Sequence, residues 1–170
     1  DWSTSENWDA TAEPTASQDA LIAAGQAATV SKSGETAKDL SFADNTASLN
    51  VTGGSLTVNA ITGGQGTIRF TGGSITVTTG NVDVNEFLIA NRTYTHDAGT
   101  FQAGTLTLGD TAGEGDVQQN GGTVHVTGDL NYGPGGNKGG EYYLNDGTLQ
   151  VDGSIVETVE AVSPAQMFVD

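Results

Sequence analysis

The chain has no cysteine, one methionine and three prolines, and only five of its 170 residues are lysine or arginine. Without cysteine there is no disulfide framework and no thiolate metal site, and either redox compartment suits it. Five cations against 21 carboxylates leave a formal charge of −16. Such a field repels nucleic acid and anionic membrane surfaces, and it disfavours sulfated or uronic glycans unless a cation bridges them. No run of 18 apolar residues is present, so no segment reads as a spanning helix. The chain opens at Asp1-Trp2-Ser3 without a signal-peptide pattern, as expected of a mature secreted protein or an excised domain. Helical periodicity is scarce too. The one Ala-rich stretch, 18–26, meets Gly25, so Asp19 to Ala23 reads as a strand, followed by another at Ala27 to Val30.

What the chain does have is a repeated phrase: two small residues, Ser or Thr, then alternating apolar and polar residues. It runs from Gly53 to Val58, Gly72 to Val77, Ala98 to Ala103, Gly121 to Val126 and Asp146 to Val151. The start positions 53, 72, 98, 121 and 146 differ by 19, 26, 23 and 25. A period in this range marks stacked supersecondary units. From residue 38 onward the alternation has a period of two, which puts one face of each strand inside and one outside. Three strands per repeat are expected. The first column is Leu49/Val51, Ile68/Phe70, Tyr94/His96, Val117/Gln119, Tyr142/Leu144 and Met167/Val169. The second is Leu56/Val58, Ile75/Val77, Phe101/Ala103, Val124/Val126 and Leu149/Val151, and the third is Val82/Val84, Leu106/Leu108, Leu130/Tyr132 and Ile155. Glycine at the corners permits the sharp turn from one wall to the next.

The expected fold is therefore all-β: a single-domain parallel β-helix of five or six rungs, with residues 1–37 as cap and first strands and 38–170 as the repeats. Trp2 and Trp8 are placed to cover the first rung. The last residues, Met167 to Asp170, align with Tyr142 to Asn145, so the repeat stops part-way. Truncation of a longer chain, or head-to-tail self-association through the open C-terminal edge, would each account for that. The longest irregular loops, Asp110 to Gly115, Gly133 to Gly140 and Glu157 to Ala165, are expected at one corner.

From Leu106 on, the pattern reads Leu-x-Leu-Gly, then a Gly-rich loop, then Asn120-Gly121-Gly122-Thr123-Val124-x-Val126-x-Gly128-x-Leu130-x-x-Gly133. The opening has Trp2, Trp8, Pro14 and Asp19-Ala20-x-Ile22. Together these resemble the repeats of large secreted bacterial proteins of the autotransporter-associated β-strand and PEP-CTERM-linked type. The resemblance implies a right-handed β-helix, a secreted or cell-surface location and an adhesive role, and it carries over no catalytic residues.

Parallel β-helices include polysaccharide lyases, whose chemistry needs a base and cationic stabilisation of an anion. Here Lys32, Lys38, Arg69, Arg92 and Lys138 are scattered. Glycoside hydrolysis needs two carboxylates across a cleft, for which Asp83 and Glu86 are a chance-level pair. His96 falls on an inward column and His125 on an outward one, so no dyad is expected. Outward Thr57 and Thr76 share a column that Gln102, His125 and Gln150 continue, which breaks the flat threonine array an ice-binding face needs. Asp110, Glu114 and Asp116 share a Gly-containing loop whose oxygens suit calcium, but the spacing matches no EF-hand or repeat-in-toxin nonapeptide, so solvated acids with no cofactor are the first expectation and calcium the alternative. Sugar binding uses exposed aromatics with amide and hydroxyl partners. The candidate patch is Tyr132, Asn137, Tyr143 and Phe168, with Gln118 and Gln150 nearby. The expected partner is a neutral polysaccharide or cell-surface glycan, with no nucleic acid and no membrane insertion.

Overall fold

The computed structural model describes residues 1–9, 12–111, 113–133, 140–157 and 166–169. Among them, a 3-10 turn at Ser5–Asn7 precedes fifteen strands and there is no α-helix. The strands are β1 (Ala20–Ile22), β2 (Ala27–Val30), β3 (Glu35–Thr36), β4 (Asp39–Phe42), β5 (Ser48–Thr62), β6 (Thr67–Ile89), β7 (Arg92–His96) and β8 (Thr100–Leu108). They continue as β9 (Gly115–Gln119), β10 (Thr123–Val126), β11 (Leu130–Tyr132), β12 (Glu141–Leu144), β13 (Thr148–Val151), β14 (Ile155–Glu157) and β15 (Gln166–Val169). The strand pairings are parallel, and each joins residues about one repeat apart. The chain is a parallel β-solenoid of about six turns.

Three walls follow from the register. Wall 1 stacks Ala20, Leu40, Ile61, Val82, Phe101, Val124 and Leu149. Wall 2 stacks Ala28, Leu49 and Ile68, then Phe87, Leu106, Leu130 and Ile155. The step from Ile68 to Phe87 lies within β6, carried by hydrogen bonds from Glu86 N to Gly66 O (3.1 Å) and from Ala90 N to Phe70 O (2.9 Å). Wall 3 stacks Glu35, Leu56 and Ile75, and separately Tyr94, Val117, Tyr142 and Met167. β5 and β6 are long because hydrogen bonding continues round their corners. The inward residues of the three walls form one continuous core, with Ala28, Ile75 and Leu149 partly buried against it and Ile155 and Met167 exposed at the last rung, as period-two alternation in a stacked tube requires.

The repeated phrase does not keep to one wall. Leu56 and Ile75 pair on wall 3, whereas Phe101, Val124 and Leu149 pair on wall 1 with Val82 above them. Each of the three expected columns therefore splits at the same place. Leu49/Val51 and Ile68/Phe70 belong to wall 2, not with Tyr94/His96, and the wall 2 strand beside Leu106/Leu108 is Phe87/Ile89, not Val82/Val84. The 26-residue interval exceeds the 19-residue one by 7 residues, about one wall. The physical reason is that either corner is satisfied by the same glycine geometry. Gly73 packs on Gly53 and Gly54 at one corner, and Gly99 packs on Gly80, and Gly122 on Gly99, at another. At Gly122 (φ +71) an added Cβ would lie 2.6 Å from Gly99 O, so the stack of corners needs glycine there.

The ends differ. Trp2 is buried, its N–H donates to Thr29 O (2.8 Å), and the Trp8 indole N–H donates to Trp2 O (2.8 Å). The two rings meet edge to face at 4.9 Å, with Trp2 in the core cluster and Trp8 packed against it. At the other end Ile155, Met167, Phe168 and Val169 are exposed. The strands flanking the three long loops lie on wall 2 before each loop and on wall 3 after it; residues 112, 134–139 and 158–165 of those loops lie outside the described residues.

Candidate binding face on the third wall

Wall 3 is interrupted. β7, β9, β12 and β15 form a sheet of their own, and no strand pairing joins Ile75–Thr79 of β6 to β7. The interior explains the break. Phe87, Tyr94 and Phe101 lie 5.2–5.4 Å apart centre to centre, with the His96 ring 6.2 Å from Phe101. Four rings at one level occupy more width than the rungs above, which hold Leu, Ile and Val with the single rings of Phe42 and Phe70, and close-packed interiors respond to excess volume by displacing backbone. Ile75 and Val77 are left half-buried at the edge. Between the two edges is a cleft of about 420 Å³, lined by residues 75–80 and 94–98.

Outside, wall 3 carries an uncharged row. Thr36, Thr57 and Thr76 are in register above the break, and Thr95, Gln118, Tyr143 and Phe168 are in register below it. The 19-residue step from Thr76 to Thr95 continues the row, and both residues line the cleft. Tyr143 and Phe168 stack 4.9 Å apart and 8° from parallel. The Tyr143 hydroxyl donates to the Glu141 carboxylate, an interaction that raises the phenol's pKa. Phe168 is 41% exposed.

Two polar ladders fix the corner beside this row. Asn120 Nδ2 donates to Asp97 Oδ1 (2.9 Å), and Asn145 Nδ2 donates to Asn120 Oδ1 (2.8 Å). Inside the corner, Gln119 is fully buried. Its Nε2 donates to Gly122 O (3.3 Å) and Thr148 O (3.1 Å), and its Oε1 accepts from the Tyr142 hydroxyl (2.6 Å). His96 holds the equivalent position one rung earlier. It is buried, and its Nε2 has no hydrogen bond of normal geometry. Burial pushes its pKa down; the backbone at Gly99 and Thr123 and the Asp97 charge oppose this less strongly.

The structure brings three of the expected ligand residues together: Gln118, Tyr143 and Phe168 are neighbours in one row. It separates the others. Tyr132 is 3% exposed on the inner face of wall 2, a core residue rather than part of a patch. Gln150 lies on wall 1, where its Nε2 donates to Asp152 Oδ1 (2.7 Å). Asn137 falls outside the described residues. Among the expected calcium ligands, Asp110 is buried against the Arg69 guanidinium. Glu114 and Asp116 line a shallow depression with Asn91, Arg92 and Thr93. Burial, with the charges of Glu141 and Glu114, raises the Asp116 pKa. Among the described residues no three acidic or histidine side chains form a group able to hold a metal ion. The expected outward column of Thr57, Thr76, Gln102, His125 and Gln150 is also two columns: the threonines stand on wall 3, the rest on wall 1 below Asp83.

Asp83 and Glu86 stand on either side of a corner. Asp83 accepts from Gln102 Nε2 (3.2 Å) and Glu86 from Thr67 Oγ1 (3.4 Å). His125 pairs with Asp152 (2.8 Å) on the outside of wall 1, far in sequence and burial from the buried His96. Sequence reasoning missed the cleft. It also missed the Asp97, Asn120 and Asn145 ladder, although an Asn or Asp ends the strand before each of the last three small-residue pairs. Among the described residues no helix is long and apolar enough to cross a membrane. No protein-family model, curated protein or solved structure matches the chain.

Proposed function

We propose that this solenoid is a non-catalytic extracellular module that binds a neutral polysaccharide along wall 3. The observation that carries the reading is the uncharged outward row from Thr36 to Phe168, on a chain whose net charge is −16. Strands about 4.8 Å apart set hydroxyl, amide and aromatic groups at regular intervals along the axis. A linear polymer with repeating hydroxyls and apolar ring faces has the matching chemistry. The acidic remainder of the surface disfavours anionic polymers. The resemblance to secreted repeat proteins supports an extracellular or cell-surface setting.

Affinity electrophoresis on neutral and anionic polysaccharides tests the reading. Retardation by at least one neutral polymer, and by none of the anionic ones, is expected; no retardation by any polymer contradicts it. A second reading, a structural spacer that stacks on a further β-rung, draws on the exposed Ile155, Met167 and Val169 of the last rung. Light scattering across concentration tests its self-assembling form, which a strict monomer would contradict.

A further inference from the structure

We propose that the break in wall 3 is a subsite for the acetamido group of an N-acetylated neutral sugar polymer. The proposal rests on the polysaccharide reading above and names the substituent that the same face selects. A continuous wall would satisfy the backbone of Ile75–Thr79 and of Arg92–His96 from both sides. Here Ile75–Val77 are paired on one side only, to β5, and Arg92–His96 on one side only, to β9. The facing edges therefore offer backbone N–H donors and C=O acceptors to whatever enters the cleft. Half-buried Ile75 and Val77 supply apolar surface between them, and Thr76 and Thr95 also line the cleft, while the Thr79 hydroxyl donates to Asn59 O (2.7 Å).

An acetamido group has the matching set: one N–H, one C=O and a methyl. Its N–H and C=O pair with the strand edges while its methyl lies on Ile75 and Val77. The cleft volume of about 420 Å³ admits it without displacing either strand. Asp97 is the one charged residue among those lining the cleft, which favours a neutral substituent over a carboxylate or sulfate. An extended peptide also presents amides, but it would lie parallel to the strands. The uncharged row runs across them on both sides of the cleft, which favours a polymer lying along the solenoid axis.

Calorimetric titration of the full chain with equal-length oligomers of N-acetylglucosamine and of glucose tests the proposal, with an uncharged extended peptide as a third arm. The N-acetylated oligomer is expected to bind at least roughly tenfold more tightly than the glucose oligomer, the gain from one or two net hydrogen bonds. Its binding should slow hydrogen exchange at the amides of Ile75–Thr79 and Arg92–His96. Ala98→Trp, which puts an indole at an exposed position in the cleft lining, should erase the preference. Equal binding of the two oligomers overturns this proposal and leaves the polysaccharide reading standing. Binding of neither overturns both, and binding of the peptide alone reassigns the cleft to strand addition. The comparison on the unsubstituted protein decides the matter even if Ala98→Trp fails to fold.

Discussion

At the scale of the residue, His96 and Gln119 solve one problem in two ways. Both are buried behind a glycine corner, and Gln119 clamps the carbonyls there with an amide that has no titration. His96 fills the equivalent position with an imidazole whose Nε2 makes no hydrogen bond of normal geometry and whose pKa burial lowers. The sign follows from linkage: the unfolded chain takes up a proton near the ordinary histidine value of about 6.5, and the folded chain resists it. The stability that neutral His96 contributes is complete above that value and is lost as pH falls through the lowered folded pKa. His96→Gln should remove this component. The difference in urea midpoint between variant and parent should favour the variant increasingly as pH drops below about 6.5. A difference independent of pH would contradict the assignment. Tyr132 gives a second residue-scale test. Its hydroxyl is buried without a hydrogen-bond partner, and burial raises its pKa beyond the ordinary tyrosine value. Tyr132→Phe removes an unsatisfied polar group and should leave stability unchanged or raise it by up to about 1 kcal/mol in denaturant titration. Glycan binding should be unaffected, since the ring faces the core.

At the scale of the element, the break in wall 3 is the feature that sets this solenoid apart from an even stack. Wall 1 runs through seven strand positions without interruption. Amides that face the break on Ile75–Thr79 and Arg92–His96 should exchange with solvent faster than the inter-rung amides of wall 1, measured residue by residue in the free protein. Uniform protection across both walls would contradict a true break. Much of the element structure was legible in the sequence. Alternation identified many of the strands, though not Glu35–Thr36, Asp39–Phe42 or the Phe87/Ile89 stretch, together with the pairing of Leu49 with Ile68 and of Val124 with Leu149 and the inward and outward assignments of Tyr142 and Tyr143. The shift of the glycine phrase from one corner to another was not legible, because Gly72-Gly73 and Gly121-Gly122 satisfy the same backbone demand on different walls. The patch was half legible for the same reason. Within a strand, period two places Gln118, Tyr143 and Phe168 side by side, but the wall slip hides that Thr76 and Thr95 belong to their row while Gln150 does not. The break itself depends on summed ring volume at one level, which no single position announces.

At the scale of the whole molecule, a capped top, a continuous core and a strongly acidic surface make a rigid, self-repelling rod segment. Screening length falls from about 30 Å at 0.01 M to about 8 Å at 0.15 M salt. The melting temperature should therefore rise over that range, because 21 carboxylates face five cations. A fall would mean that the few ion pairs, such as Lys38 with Asp19 (3.1 Å), outweigh the repulsion. The same charge distribution gives the uncharged row of wall 3 its significance as a recognition surface. The most direct test of that claim is a glycan-array screen of the protein and its Tyr143→Ala variant, run with and without calcium. The account predicts selective binding to neutral glycans that weakens on substitution, by up to roughly tenfold for the loss of one aromatic contact. Silence across the array, or binding that Tyr143→Ala leaves untouched, would contradict it.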